Sequence, residues 1–464
     1  MAEQSLRDHL SRLEKAGHLF HVKAEVDKDW EIACVTRQTA GLPPQERYAI
    51  QFDRVRGHQT PVVVGAIGAS RDIYALALGI QAGEIHERWL HALRHPVEPR
   101  MTTTAPCQEH VERDGQVDLQ KFPVPTWTPT KDGGPYFSAG CVVMKDPETG
   151  VQNVGIYRLM VHSSNLLGVL IVPAKHSGII HSKYEAMNRP MEVAVVIGPP
   201  PSVVMTGAGR VPYGVDELAV AGGLLGSPLD LVKCQTVDLQ VPAQSEMVIE
   251  GVIPPHERRH EGPFGEFFGY MGEDGDAPVV KVQALCYRSN PIHQGIMEQK
   301  PPSEGSYIKD IAMESILLGA LRGVGVPGVL DVHVGEMSAQ SHVVVAIQKL
   351  FPGHAKAVMH GCWASYPNRC KQVTVVEGDC DIYDSADVEW HIASRVQSDR
   401  DIEVVSEATG HTLDPSMPEG RKTYGAKMGV DATRKHLYPE VSLPPEEMLN
   451  RARKDWKRYG LPAL

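Results

Sequence analysis

The stretch that organises the sequence is residues 260–270, which reads His260-Glu261-Gly262-Pro263-Phe264-Gly265-Glu266-Phe267-Phe268-Gly269-Tyr270. Its two carboxylates are separated by glycines and a proline, which suit neither an α-helix nor a regular strand. We therefore predict a fixed turn or loop that carries both acids. The neighbouring phenylalanines can exclude water from a carboxylate, which raises its pKa toward the range useful for proton transfer. The alternative is an ordinary turn with two solvated glutamates, because paired acids in loops are common.

Length and charge narrow the class of protein. The chain has 464 residues, enough for two or three domains that each bury a core. Its hydrophobic fraction of 42% and charged fraction of 22% are typical of a soluble globular protein. The net charge of −11, without a long basic run, argues against nucleic acid or an anionic membrane surface as partner.

The cellular location is predicted from what the sequence lacks. The charged N-terminus does not resemble a signal peptide, and no stretch approaches the ~20 apolar residues of a membrane span. The eight cysteines are scattered and form no Cys-x-x-Cys pair. We expect a cytoplasmic protein without a membrane partner, a disulfide framework or a structural zinc site.

Residues 1–106 are predicted to form an N-terminal α/β domain. Leucines at helical spacing predict an opening helix over residues 4–15. Short β-like runs follow at 19–26 and 61–66, and a helical stretch at 71–78. We identify no candidate catalytic or ligand-binding residues in this region, and we interpret it as a structural domain.

Residues 107–300 are predicted to form a central β-barrel or sandwich, because short apolar strands alternate with turn signals. The predicted strands are 137–144, 151–162, 168–172, 192–197, 202–205, 232–241 and 247–253. The three prolines at 199–201 are interpreted as a rigid connector between two of these strands.

After residue 300 the pattern is again α/β. A C-terminal α/β domain over 301–440 contains predicted helices at 308–321 and 387–395. Its predicted strands are 326–334, 342–348 and 373–376. Residues 441–464 are predicted to form a terminal helix that packs on another element or another subunit.

Three polar features lie in the β-rich middle of the chain. Asn153 and Arg158 share one apolar strand, where they fall on opposite faces unless a bulge occurs at Gly155. His176 follows a predicted strand, and Glu217 opens a helical run. An amide oxygen, an imidazole and a carboxylate suit Mn²⁺ or Mg²⁺ bridging to a phosphate better than Zn²⁺. Each residue also has a structural alternative. Arg158 could be a solvated arginine at a sheet edge, His176 a hydrogen-bonded loop histidine, and Glu217 an acid that interacts favourably with the helix dipole.

These features, in this order and at these separations, resemble the UbiD family of reversible decarboxylases, which use prenylated FMN. The resemblance covers roughly residues 5–435, and its most specific part is the Glu-Gly-Pro-Phe-Gly-Glu core. The other matching segments are 132–136 (Asp-Gly-Gly-Pro-Tyr), 153–158 (Asn-Val-Gly-Ile-Tyr-Arg), His176, 214–217 (Gly-Val-Asp-Glu), 241–243 (Val-Pro-Ala), Glu246, 250–251 (Glu-Gly) and 429–433 (Gly-Val-Asp-Ala-Thr).

The resemblance implies a fold and an assembly. The expected fold class is a multidomain α/β (α+β) protein, in which a central split β-barrel of flavin-reductase-like type is flanked by N- and C-terminal α/β domains. Members of the family usually form homodimers or homohexamers. A separate flavin prenyltransferase would supply the cofactor.

The resemblance also assigns site residues. Asn153, His176 and Glu217 are implied as ligands of a Mn²⁺-type ion that holds the flavin phosphate, and Ala208, Gly209 and Glu217 lie close to an expected K⁺. Ile156, Tyr157, Arg158 and Lys175 complete the expected cofactor-binding set. Arg158, Glu261 and Glu266 match the catalytic Arg–Glu–Glu network, whereas Glu246 and Glu250 are interpreted as structural.

The implied reaction is reversible loss of CO₂ from an aromatic, heteroaromatic or α,β-unsaturated acid through a covalent adduct with the cofactor. Arg158 would grip a carboxylate and keep Glu261 ionised, while Glu266 would carry the proton. Two alternatives remain: a flavin-binding oxidoreductase, or a subunit of a larger carboxylase that is inactive alone. The intact acid pair argues against hydride transfer, which does not need it.

Departures from the family pattern concern the substrate. Lys175 stands where other members often have glutamine or threonine, so it could meet the flavin or a second substrate anion, or be a solvated stem. Phe268 replaces a polar residue, and Leu159 and Met160 give an apolar wall, which favours an aromatic or heteroaromatic acid. Lys371 is a weaker candidate for contact with the cofactor.

Overall fold

The computed structural model describes residues 5–417 and 423–462. The first part of the chain contains α1 (Leu6–Lys15), β1 (Leu19–Val26), α2 (Glu31–Ala40), β2 (Ala49–Val55), β3 (Val62–Val64), α3 (Arg71–Leu78), α4 (Ile85–Arg94), β4 (Arg100–Met101) and β5 (His110–Arg113). Helix α1 starts at a capping box, in which Ser5 and Asp8 satisfy each other's backbone N–H groups. The helices predicted at 4–15 and 71–78 and the strand predicted at 19–26 are present.

The middle of the chain contains β6 (Tyr136–Lys145), β7 (Gln152–Ser163), β8 (Leu166–Val169), α5 (His176–Ala186), β9 (Met191–Ile197), α6 (Pro201–Ala208), α7 (Glu217–Leu225), β10 (Asp230–Lys233), β11 (Gln240–Pro242), β12 (Met247–Ile253), β13 (Arg258–Glu261), β14 (Gly275–Tyr287) and β15 (His293–Gln294). Strands β6, β7, β8, β14, β12 and β9 pair in that order, and β12 pairs with both β9 and β14. This closes a six-stranded barrel, which confirms the predicted fold class.

Side chains from all parts of the barrel fill its interior. Leu159, Leu167, Val193, Ile249 and Val280 belong to one buried cluster. Leu159 of β7 belongs to this cluster, and Tyr157 and Val161 pack against it, so the residues that alternate with them face outward, Arg158 among them.

Two predictions in this region were wrong. Residues 202–205 are not a strand but part of α6, and the proline run does not connect strands, because Pro201 is the first residue of that helix. Proline is well suited to a first helical position, where its missing N–H is not needed. Short apolar runs cannot be assigned to helix or strand from their pattern alone, and every residue from Pro201 to Thr206 is buried.

The segment predicted as one barrel strand at 232–241 is also different. It reverses direction between β10 and β11, which form a separate sheet with β4. The turn is held by Glu250, whose carboxylate accepts hydrogen bonds from the backbone N–H groups of Gln235 at 2.8 Å and Thr236 at 2.6 Å. A buried acid thus anchors the reversal, which supports the structural interpretation of Glu250.

The last part of the chain contains α8 (Glu304–Gly323), β16 (Val329–Val334), β17 (His342–Ile347), α9 (His354–Ser365), β18 (Gln372–Glu377), α10 (Ser385–Arg395), β19 (Ile402–Thr409), β20 (Tyr424–Asp431) and α11 (Glu446–Lys454). The sheet order is β16-β17-β18-β20-β19, with parallel central pairs and antiparallel edges. The long helix α8 contacts both β16 and α4, and so joins this sheet to the first part of the chain. No residue of α11 is buried.

Candidate active site

Arg158 binds both glutamates of the stretch at 260–270. Its Nε and Nη2 donate to Glu261 Oε1 at 3.0 Å and Oε2 at 2.6 Å, and its Nη1 donates to Glu266 Oε1 at 2.7 Å. The side chain of Arg158 is 7% exposed, that of Glu261 1% and that of Glu266 15%. The three groups therefore form one buried charge network on the outer face of the barrel.

The backbone of this stretch is held by the segment that precedes β6. Gly262 has φ +94 and donates its N–H to the Tyr136 hydroxyl at 3.1 Å. A Cβ on Gly133 would lie 2.1 Å from the Gly262 carbonyl oxygen, so only a glycine at position 133 allows the two backbone segments to approach this closely. Asp132 accepts the Gly265 N–H at 3.2 Å. The motif at 132–136 therefore positions the two acids, although Glu261 itself ends strand β13 rather than lying in the loop.

Burial and charge pairing act differently on the pKa values of Glu266 and Arg158. Loss of solvation raises the pKa of Glu266, against the opposing charge of Arg158. Burial also opposes the charge of Arg158, but the hydrogen bonds to Glu261 and the charges of both acids outweigh it and raise the pKa of the guanidinium. Arg158 thus stays charged while Glu266 can hold a proton.

A second polar cluster lies at the start of β7. Asn153 Nδ2 donates to Glu217 Oε1 at 2.6 Å, and the Val154 N–H donates to Glu217 Oε2 at 2.9 Å. His176 Nδ1 lies 3.9 Å from Glu217 Oε1. Helices α5 and α7 begin at His176 and Glu217, so two helix N-termini meet the strand here.

The donor set of this cluster fits a hard divalent cation. Asn153 Oδ1 is buried and has no hydrogen-bond partner among the described residues, although a buried amide oxygen usually has one. A cation at that oxygen would satisfy it, with the Glu217 carboxylate and His176 completing a mixed oxygen and nitrogen set.

The pairing of β7 is regular through Gly155. The register between β6 and β7 shifts only between Phe137 and Gly140, on the β6 side. Asn153 and Arg158 therefore lie on opposite faces of β7, and the bulge at Gly155 that would have placed them on one face is absent.

The remaining predicted cofactor residues lie around β7. Burial raises the pKa of Tyr157 to about 12. Ile156 packs against the main hydrophobic core. Gly209 ends α6, and a Cβ there would lie 2.9 Å from Trp89 Cη2. The close approach of Trp89 is what requires a glycine at this position.

Family models match almost the entire chain. They describe the N-terminal, Rift-related and C-terminal domains of 3-octaprenyl-4-hydroxybenzoate carboxy-lyase, and match residues 10–93, 100–301 and 307–432. An uncharacterized protein of Archaeoglobus fulgidus is 33% identical over 94% of this chain and 92% of the relative. The chain belongs to the UbiD family.

Solved UbiD-class enzymes share the fold. HmfF from Pelotomaculum thermopropionicum, solved with FMN, has a TM-score of 0.89 and 38% identity, and the match covers 96% of this chain and 98% of that one. An evolved dimeric form of HmfF contains prenylated FMN, with a TM-score of 0.87, 36% identity and coverage of 96% and 98%. The vanillic acid decarboxylase of Sedimentibacter hydroxybenzoicus, in a closed form, has a TM-score of 0.86, 30% identity and coverage of 98% and 100%.

The UbiD family is a family of carboxy-lyases. The solved relatives of this chain include enzymes that bind FMN or prenylated FMN. Among the described residues, no helix is both long enough and apolar enough to span a membrane.

Four side chains near Glu266 were missed by the sequence interpretation. Lys309 pairs with Glu298, and Arg369 and His411 lie against Phe267. They are far apart in the sequence, and no motif links them to the stretch at 260–270. Only the fold brings them together.

Lys175 interacts electrostatically with Glu266 and with the charged side chains near it. Its side chain is exposed, yet protein surrounds the ammonium closely enough that desolvation, with the charges of Arg369 and Lys309, lowers its pKa to about 8. The same ammonium opposes the rise in the pKa of Glu266. Lys371, in contrast, is paired with Asp414 at 2.9 Å.

Proposed function

We propose that this chain catalyses the reversible, non-oxidative decarboxylation of an aromatic, heteroaromatic or α,β-unsaturated carboxylic acid with prenylated FMN. The observation that carries the proposal is the network in which Arg158 binds both Glu261 and Glu266 while burial raises the pKa of Glu266. A buried cation and a protonatable acid are what a decarboxylase needs beside its electron sink.

Arg158 would bind and orient the substrate carboxylate. Glu261 occupies Nε and Nη2 and so fixes the plane of the guanidinium. The Nη1 edge, which faces Glu266, is the edge that a substrate carboxylate can share. Holding the scissile carboxylate there places the carbon that carries it beside the proton donor.

Glu266 would supply the proton. When the bond between the substrate carbon and its carboxylate breaks, CO₂ leaves and the electron pair stays on the substrate side. The bound prenylated flavin would supply the electron sink for that pair. Glu266 then donates its proton to the same carbon and is reprotonated from solvent, which its 15% exposure allows. In carboxylation Glu266 would instead accept the proton.

Asn153, His176 and Glu217 would hold Mn²⁺ or Mg²⁺ at the flavin phosphate, with Ala208, Gly209 and Glu217 near a K⁺ ion. The unsatisfied Asn153 Oδ1 supports the divalent site. Ile156, Tyr157, Arg158 and Lys175 would line the rest of the cofactor site.

We divide the chain into an N-terminal α/β domain (1–106), a barrel domain (107–300), a C-terminal α/β domain (301–440) and an oligomerisation helix (441–464). We expect a cytoplasmic homodimer or homohexamer, with a flavin prenyltransferase as supplier of the cofactor.

The test is co-expression with a flavin prenyltransferase, followed by measurement of the bound cofactor's mass and metal content and of CO₂ release from a panel of aromatic and cinnamic-type acids. We expect the purified protein to contain prenylated flavin, and we expect Glu266→Gln to lower turnover by about a hundredfold or more. Asn153→Ala should lower both the metal and flavin content, whereas Asn165→Ala, at an exposed turn, should not. A purified chain that binds only unmodified FMN with intact metal would overturn the proposal.

The same measurement separates the two alternatives. A flavin-binding oxidoreductase would oxidise or reduce its ligand without releasing CO₂. A non-autonomous subunit would hold prenylated flavin but release CO₂ only after a partner chain is added.

A further inference from the structure

Cationic side chains gather around Phe267, the residue that follows Glu266. The guanidinium carbon of Arg369 lies 4.8 Å from the centroid of the Phe267 ring, and Lys309 Nζ lies 5.1 Å from it. The His411 ring is 5.5 Å from Phe267 and 5.6 Å from Phe268. Lysine and arginine therefore approach from α8 and from the loop before β18, directly beside the proton donor of the proposed reaction.

Arg369 is not neutralised within the described part of the chain. Lys309 is paired with Glu298, and Lys371 with Asp414. No carboxylate within residues 5–417 or 423–462 lies at ion-pair distance from Arg369, and its Nη1 is buried without a hydrogen-bond partner. A buried guanidinium nitrogen is normally bonded, so this one is poised for an acceptor from outside the chain.

The nearby acids among the described residues form no ion pair with Arg369, although the charge of Asp310 opposes the effect of burial on the pKa of the guanidinium. Glu266 is bonded to Arg158. Asp310 is 1% exposed and accepts no hydrogen bond at either oxygen among the described residues, and burial raises its pKa well above the usual range. Burial therefore disfavours the charged form of Asp310. Burial and the three neighbouring cations lower the pKa of His411 to about 2, so it contributes no charge.

We propose that Arg369 binds a second anionic group of the substrate, so that the acid decarboxylated here carries another carboxylate or a group of similar acidity. This inference rests on the proposed function, because it assigns the far end of the substrate of that site. A guanidinium offers a planar pair of donors that matches a carboxylate, and Phe267 and Phe268 supply an aromatic wall beside it. Lys175, which has no ion-pair partner in the described part of the chain, adds positive charge to the same recess.

The substrate fits this position better than the flavin phosphate does. The residues suited to a metal and a phosphate are Asn153, His176 and Glu217, at the start of β7. Arg369 instead contacts the residue next to Glu266. An anion at Arg369 would thus be held on the side of the proton donor.

The experiment measures binding by calorimetry on the flavin-loaded protein. The probes are aromatic dicarboxylic acids with 1,3- and 1,4-related carboxylates, each compared with its monomethyl ester. We expect at least one diacid to bind about ten- to a hundredfold more tightly than its ester, the range of a charge-assisted pair. Arg369→Gln should remove that preference, and Arg369→Lys should keep part of it. Arg322→Gln, at an exposed ion pair at the far end of α8, is the matched control and should change nothing.

Each outcome decides the proposal. Equal affinity of diacid and ester in every pair, or a preference that survives in Arg369→Gln, would overturn it. Loss of flavin from purified Arg369→Gln would also overturn it and assign Arg369 to the cofactor phosphate. If diacids are preferred but no CO₂ is released from any acid, the anion site stands and the proposed reaction fails. If monoacids are decarboxylated with no preference for diacids, the reaction stands and the anion site fails.

Discussion

The positive charge of Arg158 neutralises the carboxylate of Glu261, which is almost wholly buried. Glu261 is 1% exposed and accepts two hydrogen bonds from the guanidinium. Removing one partner of such a pair leaves the other charge in a medium that solvates it poorly, which costs more than the pair itself contributes.

We therefore expect Arg158→Met to destabilise the protein by about 3–5 kcal/mol. The double variant Arg158→Met/Glu261→Gln should recover much of that loss, because the more deeply buried acid is then uncharged and Glu266, whose pKa is raised by burial, can take up a proton. The shift in the midpoint of chemical unfolding measures both effects. A double variant no more stable than Arg158→Met would contradict the assignment of the cost to Glu261.

Glu266 gives the reaction a pH dependence. Burial raises its pKa, so the protonated form that donates to carbon persists above the usual carboxyl range. Decarboxylation by the loaded enzyme should proceed below that raised pKa and decline as pH rises through it. Folding stability should decline in the same direction between the unfolded and the raised pKa, because the native state binds more protons there.

The kcat–pH profile measures the first effect. Glu266→Gln should lower kcat by about a hundredfold or more and remove the alkaline limb that belongs to this acid. Glu257→Gln, at a partly exposed ion pair with Lys281, should keep the wild-type profile. An unchanged alkaline limb in Glu266→Gln would assign the titration to another group.

At the scale of elements, α7 carries Glu217 because its glycines allow a close approach. A Cβ on Gly222 would lie 2.6 Å from the Val97 carbonyl oxygen, and one on Gly223 would lie 3.0 Å from Ala92 Cα. The helix therefore rests directly on the backbone of the preceding segment, and this contact sets how deeply Glu217 reaches toward Asn153.

Gly222→Ala should lower the melting temperature and the metal content together. Alanine favours a helix by about 1 kcal/mol over glycine, but the clash with backbone costs about 1–3 kcal/mol and cannot be relieved by a rotamer change. Gly323→Ala, near the end of α8, is the matched control, since its Cβ would meet nothing within 4 Å. That control should melt at the wild-type temperature or slightly above it, and equal melting of both variants would refute the argument.

The elements also show where local pattern is insufficient. Short apolar runs between turn signals predicted β6, β7, β9 and β12 nearly to the residue. It failed at 202–205, where every side chain is buried, so helix and strand leave the same apolar run. The prediction of a single strand at 232–241 was wrong for another reason, because the turn within it is held by Glu250, which lies outside the segment.

At the scale of the whole molecule, the C-terminal helix is largely exposed to solvent. Met448 is 66% exposed, Leu443 70% and Leu461 53%, and no residue of α11 is buried. Met448 lies on α11, and Leu443 and Leu461 lie before and after it. Exposed apolar side chains on and beside an amphipathic helix suit contact with a second copy of the chain.

We expect deletion of residues 441–464 to lower the molar mass of the assembly in light scattering while the monomer stays folded. Met448→Asp should have the same effect without shortening the chain. Asn450→Asp places the same charge on the same helix at an exposed polar position and should leave the mass unchanged. A deletion that unfolds the chain, or leaves the mass unchanged, would contradict an oligomerisation helix.

The sequence alone determined the features that depend on neighbours in the chain. The glycines and proline at 262–265 predicted an irregular segment, which contains Glu266 and begins after Glu261 at the end of β13. The alternation along β7 placed Asn153 and Arg158 on opposite faces. The matching segments identified the family, since their order and separations can be compared without a structure. These properties survive because backbone preference and strand periodicity are local.

Only the tertiary structure decided how these parts meet. It set Gly133 against Gly262, closed the barrel through β12 and β14, and brought Arg369, Lys309 and His411 to Phe267. Side chains more than forty residues apart carry no shared local pattern. Their proximity follows from long-range burial of apolar surface, which fixes the position of every element in the fold at once.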